Sequence, residues 1–76
     1  MKKPDNSVCL KDFGEWIRTK RERKQLSQAE VAFSANITQS QYSRIESAKR
    51  EVDLVTAMAI CRVLELDLSD FIKTHM

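Results

Sequence analysis

The chain has 76 residues, of which 42% are hydrophobic and 32% charged, with a single Gly and a single Pro. This length allows one small domain, and the scarcity of Gly and Pro, without runs of alternating β-branched residues, excludes a β-sandwich or barrel and predicts an all-α fold. No stretch reaches about 18 consecutive apolar residues and no signal-peptide segment follows Met1, so we expect a soluble, cytoplasmic protein.

The net charge of +2 is unevenly distributed along the chain. Residues 1–50 carry eleven Lys or Arg against six Asp or Glu, and residues 51–76 carry two against five, so the two parts have charges of +5 and −3. A basic part with an acidic remainder suits a protein that presents one face to phosphates. The basic run from Arg18 to Lys24, taken alone, is equally consistent with the solvated face of a helix.

The predicted elements begin with a flexible arm over residues 1–11, which is followed by a single helical domain over residues 12–76. Asp12 and Glu15 have the spacing of a capping box, which predicts a first helix from there to about Lys24. A short connector follows this helix. No internal repeat, low-complexity segment or linker divides the domain further.

Two more capping boxes predict where the second and third helices start. In the segments 27–30 (SQAE) and 38–41 (TQSQ), the hydroxyl can accept from the backbone N–H three residues on, and the Glu or Gln side chain can reach back. The predicted helices cover residues 28–35 and 39–47. Asn36 is the residue between them that adopts a left-handed helix cap at least cost, so the connection is a tight turn. This is the pattern of a helix-turn-helix.

A fourth helix is predicted to start after Asp53, which follows a charged loop. Apolar residues recur in it at helical spacing: Leu54, Ala57, Ile60, Cys61 and Leu64. We interpret Cys61 as a small core residue and not as part of a disulfide or metal site. A last short helix is predicted from Ser69, and Phe71 closes the core.

The third helix has two faces of different composition. Tyr42, Ile45 and Glu46 point to one side. The other side carries Gln39, Ser40, Ser43, Arg44 and Ser47. A helix that only faces solvent is usually rich in Lys, Glu and Ala, whereas Gln, Ser and Arg are groups that hydrogen-bond to base edges. We therefore predict that the first four of these five residues read bases of double-stranded DNA; the alternative is an ordinary solvated surface.

Several segments together match one family pattern, although each is short. They are Leu26-Ser27-Gln28, Val31-Ala32, Asn36-Ile37-Thr38, Ile45-Glu46, and the apolar residues Leu64, Leu66 and Phe71. They resemble the Cro and phage-repressor type of helix-turn-helix, called the xenobiotic response element family, over residues 12–73. The resemblance implies a compact, lambda-repressor-like domain of five helices whose third helix enters the major groove.

The resemblance also implies roles for four residues. Gln28 would bind a DNA phosphate, and Ala32 would lie where the second and third helices cross. Arg21 would pair with Glu46, a carboxylate on the inward face of the third helix. Because a buried carboxylate is costly to desolvate without a cation, this structural pair would fix the angle of the third helix even if it adds little net stability.

The chain departs from the family at four loop positions. The family usually has Gly where Asn36, Ala48 and Glu65 stand. It usually has Pro where Val52 stands. Ala48 and Glu65 would each lose about 1 kcal/mol or more in a left-handed conformation, so we expect those two loops to differ locally from the family.

The loop after the third helix also affects the predicted phosphate contacts. Glu51 adds an acid to a segment that is basic in some relatives. We therefore assign the phosphate contacts to Lys49 and Arg50, together with Ser47 at the helix end and Gln28. Most of the affinity would come from such contacts, and the choice of sequence from the base-reading face.

These observations favour a sequence-specific transcriptional regulator, repressor-like and of prokaryotic, phage or plasmid type, that binds a double-stranded DNA operator. The alternative is a protein-interaction module, such as the antitoxin of a toxin–antitoxin pair, which an exposed apolar patch would favour. An enzyme is not expected, because the single His, at position 75, belongs to no catalytic constellation. No metal, cofactor, membrane or small-molecule effector is expected.

A homodimer is expected because one domain offers too few base-reading side chains to select a site in a genome. Two domains would bind half-sites about 34 Å or 10 base pairs apart. The candidates for the dimer contact are Leu68, Ile72 and the end of the fourth helix, in the acidic part of the chain. The alternative is that these residues only close the core of the monomer.

Overall fold

The computed structural model describes residues 10–75, and this part of the chain is built from helices alone. The five helices are α1 (Leu10–Arg23), α2 (Gln28–Ser34), α3 (Gln39–Glu46), α4 (Leu54–Val63) and α5 (Leu68–His75). Their number and order confirm the predicted all-α, five-helix domain. Between residues 10 and 75, none of the helices combines the length and the apolarity needed to cross a membrane.

The starts of α2 and α3 are the capping boxes that the sequence predicts. The hydroxyl of Ser27 accepts from the backbone N–H of Glu30 at 3.0 Å, and the Glu30 carboxylate accepts from the N–H of Ser27 at 2.7 Å. Thr38 and Gln41 form the same reciprocal pair at 3.0 and 2.9 Å. Each box satisfies two N–H groups that would otherwise have no partner within the helix.

Two predicted helix starts are wrong by one or two residues. α1 begins at Leu10, so Asp12 lies in its first turn and does not cap it. The helix extends beyond the predicted start because Lys11 also favours helix and Asp12 is favourable near a helix N-terminus. The remainder of the predicted arm, residues 1–9, lies outside the described residues. α5 begins at Leu68, one residue before the predicted start.

The first four helices all end in the same backbone motif. In each, the second residue after the last helical residue has a positive φ: Gln25 (58°), Asn36 (63°), Ala48 (61°) and Glu65 (59°). After α3, for example, the N–H of Lys49 donates to the carbonyl of Arg44 at 2.8 Å, and the N–H of Ala48 to that of Ile45 at 3.2 Å. These are Schellman caps, in which backbone N–H groups satisfy the last carbonyls of the helix.

The expectation that the loops at Ala48 and Glu65 differ from the family is therefore wrong. Both residues adopt the left-handed conformation in place of glycine. The two backbone hydrogen bonds of each cap offset the steric cost of the Cβ atom. Glu65 also forms an ion pair with Lys24 in the loop after α1, so two of the cap segments are joined.

Ala48→Gly should stabilise the domain. Removing the Cβ atom relieves strain of about 1–2 kcal/mol in the folded protein. The greater freedom of Gly stabilises the unfolded chain by about 0.5–1 kcal/mol, so the free energy of unfolding should rise by up to about 1 kcal/mol. Urea unfolding followed by circular dichroism measures this change. Ala29→Gly is the control, because Ala29 is exposed in α2 and has no positive φ, so the change relieves no strain and removes no buried methyl group. A loss of stability in Ala48→Gly equal to that of the control would contradict the expectation.

The core is formed by one cluster of apolar side chains between the helices. Its largest fully buried members are Phe13, Ile17, Val31, Tyr42, Ile60, Leu64 and Phe71. The rings of Phe13 and Phe71 meet edge to face, with centroids 5.4 Å apart, and join α1 to α5. Cys61 is buried in the same cluster, which confirms its interpretation as a core residue, and this burial raises the pKa of its thiol to about 11.

α1 and α3 touch through their backbones at Gly14, the only glycine of the chain. A Cβ atom on this residue would lie 2.4 Å from the carbonyl oxygen of Glu46 and 2.8 Å from that of Ile45. No positive φ occurs at this position, so the glycine is needed for the close approach and not for its backbone conformation. The C-terminal end of α3 thus rests directly on α1.

Candidate nucleic-acid interface

The outward face of α3 carries the side chains that the sequence predicts to read bases. Gln39, Ser40 and Arg44 are exposed, and Ser43 is half-buried. They share one face because residues one, four and five positions after Gln39 lie on the same side of a helix. The opposite side of α3 is anchored in the core by Tyr42, together with other buried residues. The four predicted base-reading residues therefore form one surface.

Three cations lie at or just beyond the end of this surface. Arg44, Lys49 and Arg50 are exposed, and in the part of the chain between residues 10 and 75 none of them forms an ion pair with a carboxylate. The Schellman cap turns the chain back over the last turn of α3, so that Lys49 follows the carbonyl of Arg44. Their charges are available to an anion outside the domain.

Ser47, which the sequence also places among the phosphate contacts, is exposed at the C-cap of α3. Its hydroxyl donates to the carbonyl of Ser43 at 3.1 Å, with the carbonyl of Arg44 at 3.3 Å. A hydroxyl has one hydrogen to donate, and here it points back to the helix. In this conformation Ser47 offers lone pairs and no donor to a phosphate oxygen.

Glu46 joins the first three helices from a buried position. Its side chain is 3% exposed, and its carboxylate accepts from Arg21 of α1 through Nε at 2.7 Å and Nη2 at 3.2 Å. It also accepts from Nε2 of Gln28, the first residue of α2, at 2.9 Å. Arg21 in turn donates through Nη1 to the carbonyl of Leu26 at 2.8 Å. The two residues that the resemblance pairs are thus in direct contact.

The ionisation of Glu46 follows from these contacts. Burial by itself favours the protonated acid, but the hydrogen bonds from Arg21, the nearby Tyr42 hydroxyl, the hydrogen bond from the Gln28 amide and the charge of Arg21 outweigh burial and hold the pKa of Glu46 below its usual value. The same ion pair raises the pKa of Arg21. Both groups are therefore charged at neutral pH, and the end of α3 is fixed by charge-assisted hydrogen bonds.

Large apolar side chains are also exposed on α2, α4 and α5. Phe33 of α2 is 87% exposed; those of α4 and α5, which we call the apolar surface of α4 and α5, are Leu54 (65% exposed), Val55 (74%), Met58 (49%) and Ile72 (41%). Leu68, another predicted dimer contact, is half-buried. Cys61 near the end of α4 and Leu64 just after it are buried in the core and are not part of this surface, although the sequence predicted a dimer contact at the end of this helix. The exposed apolar residues of α4 lie in its first half.

Comparison with known proteins places the chain among helix-turn-helix proteins. The family model HTH_3, described as helix-turn-helix, matches residues 17–71. The restriction-modification controller protein C.AhdI from Aeromonas hydrophila is 29% identical, with a TM-score of 0.78 over 82% of this chain and 94% of that chain. A comparison with curated proteins gives no significant match.

Two further solved structures have the same fold. The wild-type restriction-modification controller protein C.Esp1396I is 23% identical to this chain, with a TM-score of 0.78 over 91% of each chain. The clp gene regulator ClgR from C. glutamicum is 19% identical, with a TM-score of 0.79 over 90% of this chain and 88% of that chain. The arrangement of the five helices is therefore shared by proteins of low sequence identity.

Proposed function

Because this chain belongs to the helix-turn-helix family HTH_3 and is a DNA-binding transcriptional regulator, we propose that it places α3 in the major groove of a double-stranded operator. The family match confirms the resemblance to Cro and phage-repressor proteins. The observation that supports the groove assignment is the polar face of α3, whose exposed Arg44 has no carboxylate partner between residues 10 and 75. The major groove, about 12 Å wide, admits one α-helix.

The side chains of this face suit different contacts. Gln39 can pair with the N6 and N7 of adenine, and Arg44 with the O6 and N7 of guanine. Ser40 and Ser43 reach base edges with less selectivity. The residues that we assign to phosphates are Gln28, Lys49 and Arg50, and Ser47 would join them after its hydroxyl turns away from α3. These contacts supply affinity that falls with salt.

Arg44→Ala should weaken binding to the operator by about 1–3 kcal/mol and binding to random DNA much less, because a bidentate contact to guanine is lost. Fluorescence anisotropy with both duplexes measures the two affinities. Lys49→Ala is the matched comparison: it should weaken both complexes equally and reduce the slope of log affinity against log salt by about one. An equal loss on both duplexes for Arg44→Ala would assign Arg44 to a phosphate.

The operator for these measurements comes from selection of bound duplexes out of a random pool. Enrichment of a symmetric sequence with half-sites about 10 base pairs apart supports the proposal. If no sequence is enriched, the proposal fails and a protein-interaction module, the alternative favoured by the apolar surface, takes its place. The proposed activity is binding alone, without a catalytic step or an effector, and its setting is the cytoplasm.

We also propose that the regulator is a homodimer that pairs through the apolar surface of α4 and α5. An exposed apolar patch of this kind is typical of a protein contact. Val55 is the most exposed of its residues, and Ile72 is its exposed apolar residue on α5. A second copy is the occupant that also explains site selection, because two domains double the number of base-reading side chains.

Val55→Glu should convert the dimer to a monomer without unfolding it, because Val55 is 74% exposed and a carboxylate is favourable in the first turn of a helix. Loss of the linked second domain should lower the affinity for a palindromic operator by about 100-fold. Sedimentation at tens of micromolar measures the oligomeric state. Thr19→Glu, on the exposed side of α1, is the control with the same added charge. A folded Val55→Glu protein that still sediments as a dimer rules out this surface.

A further inference from the structure

The side-chain amide of Gln28 has its orientation set by Glu46. Its Nε2 atom donates to the Glu46 carboxylate at 2.9 Å. A rotation of the amide by 180° would place its oxygen against the carboxylate, and both are acceptors only. The nitrogen of Gln28 is thus directed to Glu46 in the folded domain. Because this nitrogen carries two hydrogens, one N–H is left without a role in the contact.

The acceptor that holds Gln28 is itself fixed and charged. Glu46 is buried, and two nitrogen atoms of Arg21 bind its carboxylate from the side of α1. The carboxylate can therefore neither turn away nor take up a proton at neutral pH without breaking the ion pair. Gln28 is half-buried at the start of α2, so part of its side chain remains accessible from outside.

We propose that Glu46 is a positioning residue for DNA: it selects the amide orientation in which the second N–H of Gln28 is free to donate to a phosphate oxygen. This inference rests on the proposed function, in which Gln28 contacts the DNA backbone. Without Glu46 the amide can rotate, and half of its orientations exchange a donor for an oxygen that the phosphate repels. Glu46 thus acts on DNA affinity without touching DNA.

The first test follows the two Nε2 protons of Gln28 by NMR in the full chain, free and with the selected duplex. In the free protein one proton should exchange with water more slowly than the other. On addition of the duplex the second should shift and become protected. If the backbone signals of α3 shift while the second Gln28 proton does not, the inference is overturned and the proposed function stands. If the α3 signals also stay unchanged, both are overturned.

The second test measures whether Gln28 and Glu46 act together. Gln28→Ala should lower the affinity of the otherwise unchanged protein for the duplex by about ten-fold, as expected for one hydrogen bond to a charged group. In a background with Arg21→Met and Glu46→Leu, which leaves no acceptor for the Gln28 amide at position 46, the same change should cost about two-fold or less, because the orientation is already lost. An equal loss in both backgrounds would show that Gln28 acts independently of Glu46 and would overturn the inference.

This background also protects the test against loss of folding, because the double variant replaces the ion pair by apolar groups and leaves no unpaired charge in the core. If it does not fold, the NMR test decides alone. Ser34→Ala, at the other end of α2, is the control substitution and should change the affinity in neither background. A Ser34→Ala effect as large as that of Gln28→Ala would overturn the inference, since helix α2 as a whole would then respond.

Discussion

Glu46→Ala should lower the free energy of unfolding by about 3–5 kcal/mol, because it leaves a buried guanidinium without its counter-ion. The side chain of Arg21 is only 12% exposed and directs two nitrogen atoms at the carboxylate. The Nε2 group of Gln28 loses its acceptor in the same variant. Urea unfolding, followed by the fluorescence of Trp16 and by circular dichroism, measures the loss.

The control for Glu46→Ala removes both charges at once. Arg21→Met with Glu46→Leu leaves no unpaired ion, and apolar replacements of a buried ion pair are often neutral or stabilising. We therefore expect this double variant to be close to the unchanged protein in stability. A loss below about 1 kcal/mol for Glu46→Ala would contradict the first expectation, because it would mean that water reaches Arg21 freely.

Gly14→Ala should lower the free energy of unfolding by about 3 kcal/mol or more, at the upper end of the cost of overpacking. The new Cβ atom would meet carbonyl oxygens of Glu46 and Ile45, and backbone atoms cannot rotate away as a side chain can. The gain of about 0.5–1 kcal/mol from replacing Gly by Ala within a helix is too small to compensate. α3 must move outward, so DNA affinity should fall as well.

Glu15→Ala is the control for this prediction, since Glu15 is the exposed neighbour on the same helix. A surface change of this kind is usually within about 0.5 kcal/mol of neutral. If Gly14→Ala instead raised the melting temperature, helix propensity would outweigh the contact, and α1 and α3 would not touch at this position. Thermal unfolding of the two variants side by side distinguishes these results.

The starts of α2 and α3 were visible in the sequence, whereas the backbone conformation after the helices was predicted correctly only at Asn36. Capping boxes at Ser27 and Thr38 are formed by side chains three residues apart, so the pattern is visible in the chain itself. The Schellman caps are formed by backbone atoms, and among their four left-handed residues only Asn36 is of a type that favours this conformation. Gln25 has no such signal, and the left-handed conformation there was not predicted. At Ala48 and Glu65 the prediction was wrong, because the two backbone hydrogen bonds of each cap offset the cost of the left-handed conformation.

The candidate site could be predicted only in part for a similar reason. The polar face of α3 follows from helical periodicity, so its residues were visible before the fold was known. The hydrogen bond between Gln28 and Glu46 joins residues 18 positions apart, and no local pattern encodes it. The signal for Gly14 was a lone glycine within a helical segment, which indicates close packing but does not name the partner.

The contacts at Gly14 and Glu46 both act on the C-terminal end of α3, so the helix that we propose to face DNA should be ordered before it binds. A preorganised element loses little conformational entropy on association. We therefore expect residues 10–75 to bind an operator without a large change in their conformation. The heat-capacity change should then correspond to the apolar surface removed from water, without the larger contribution that a folding transition adds.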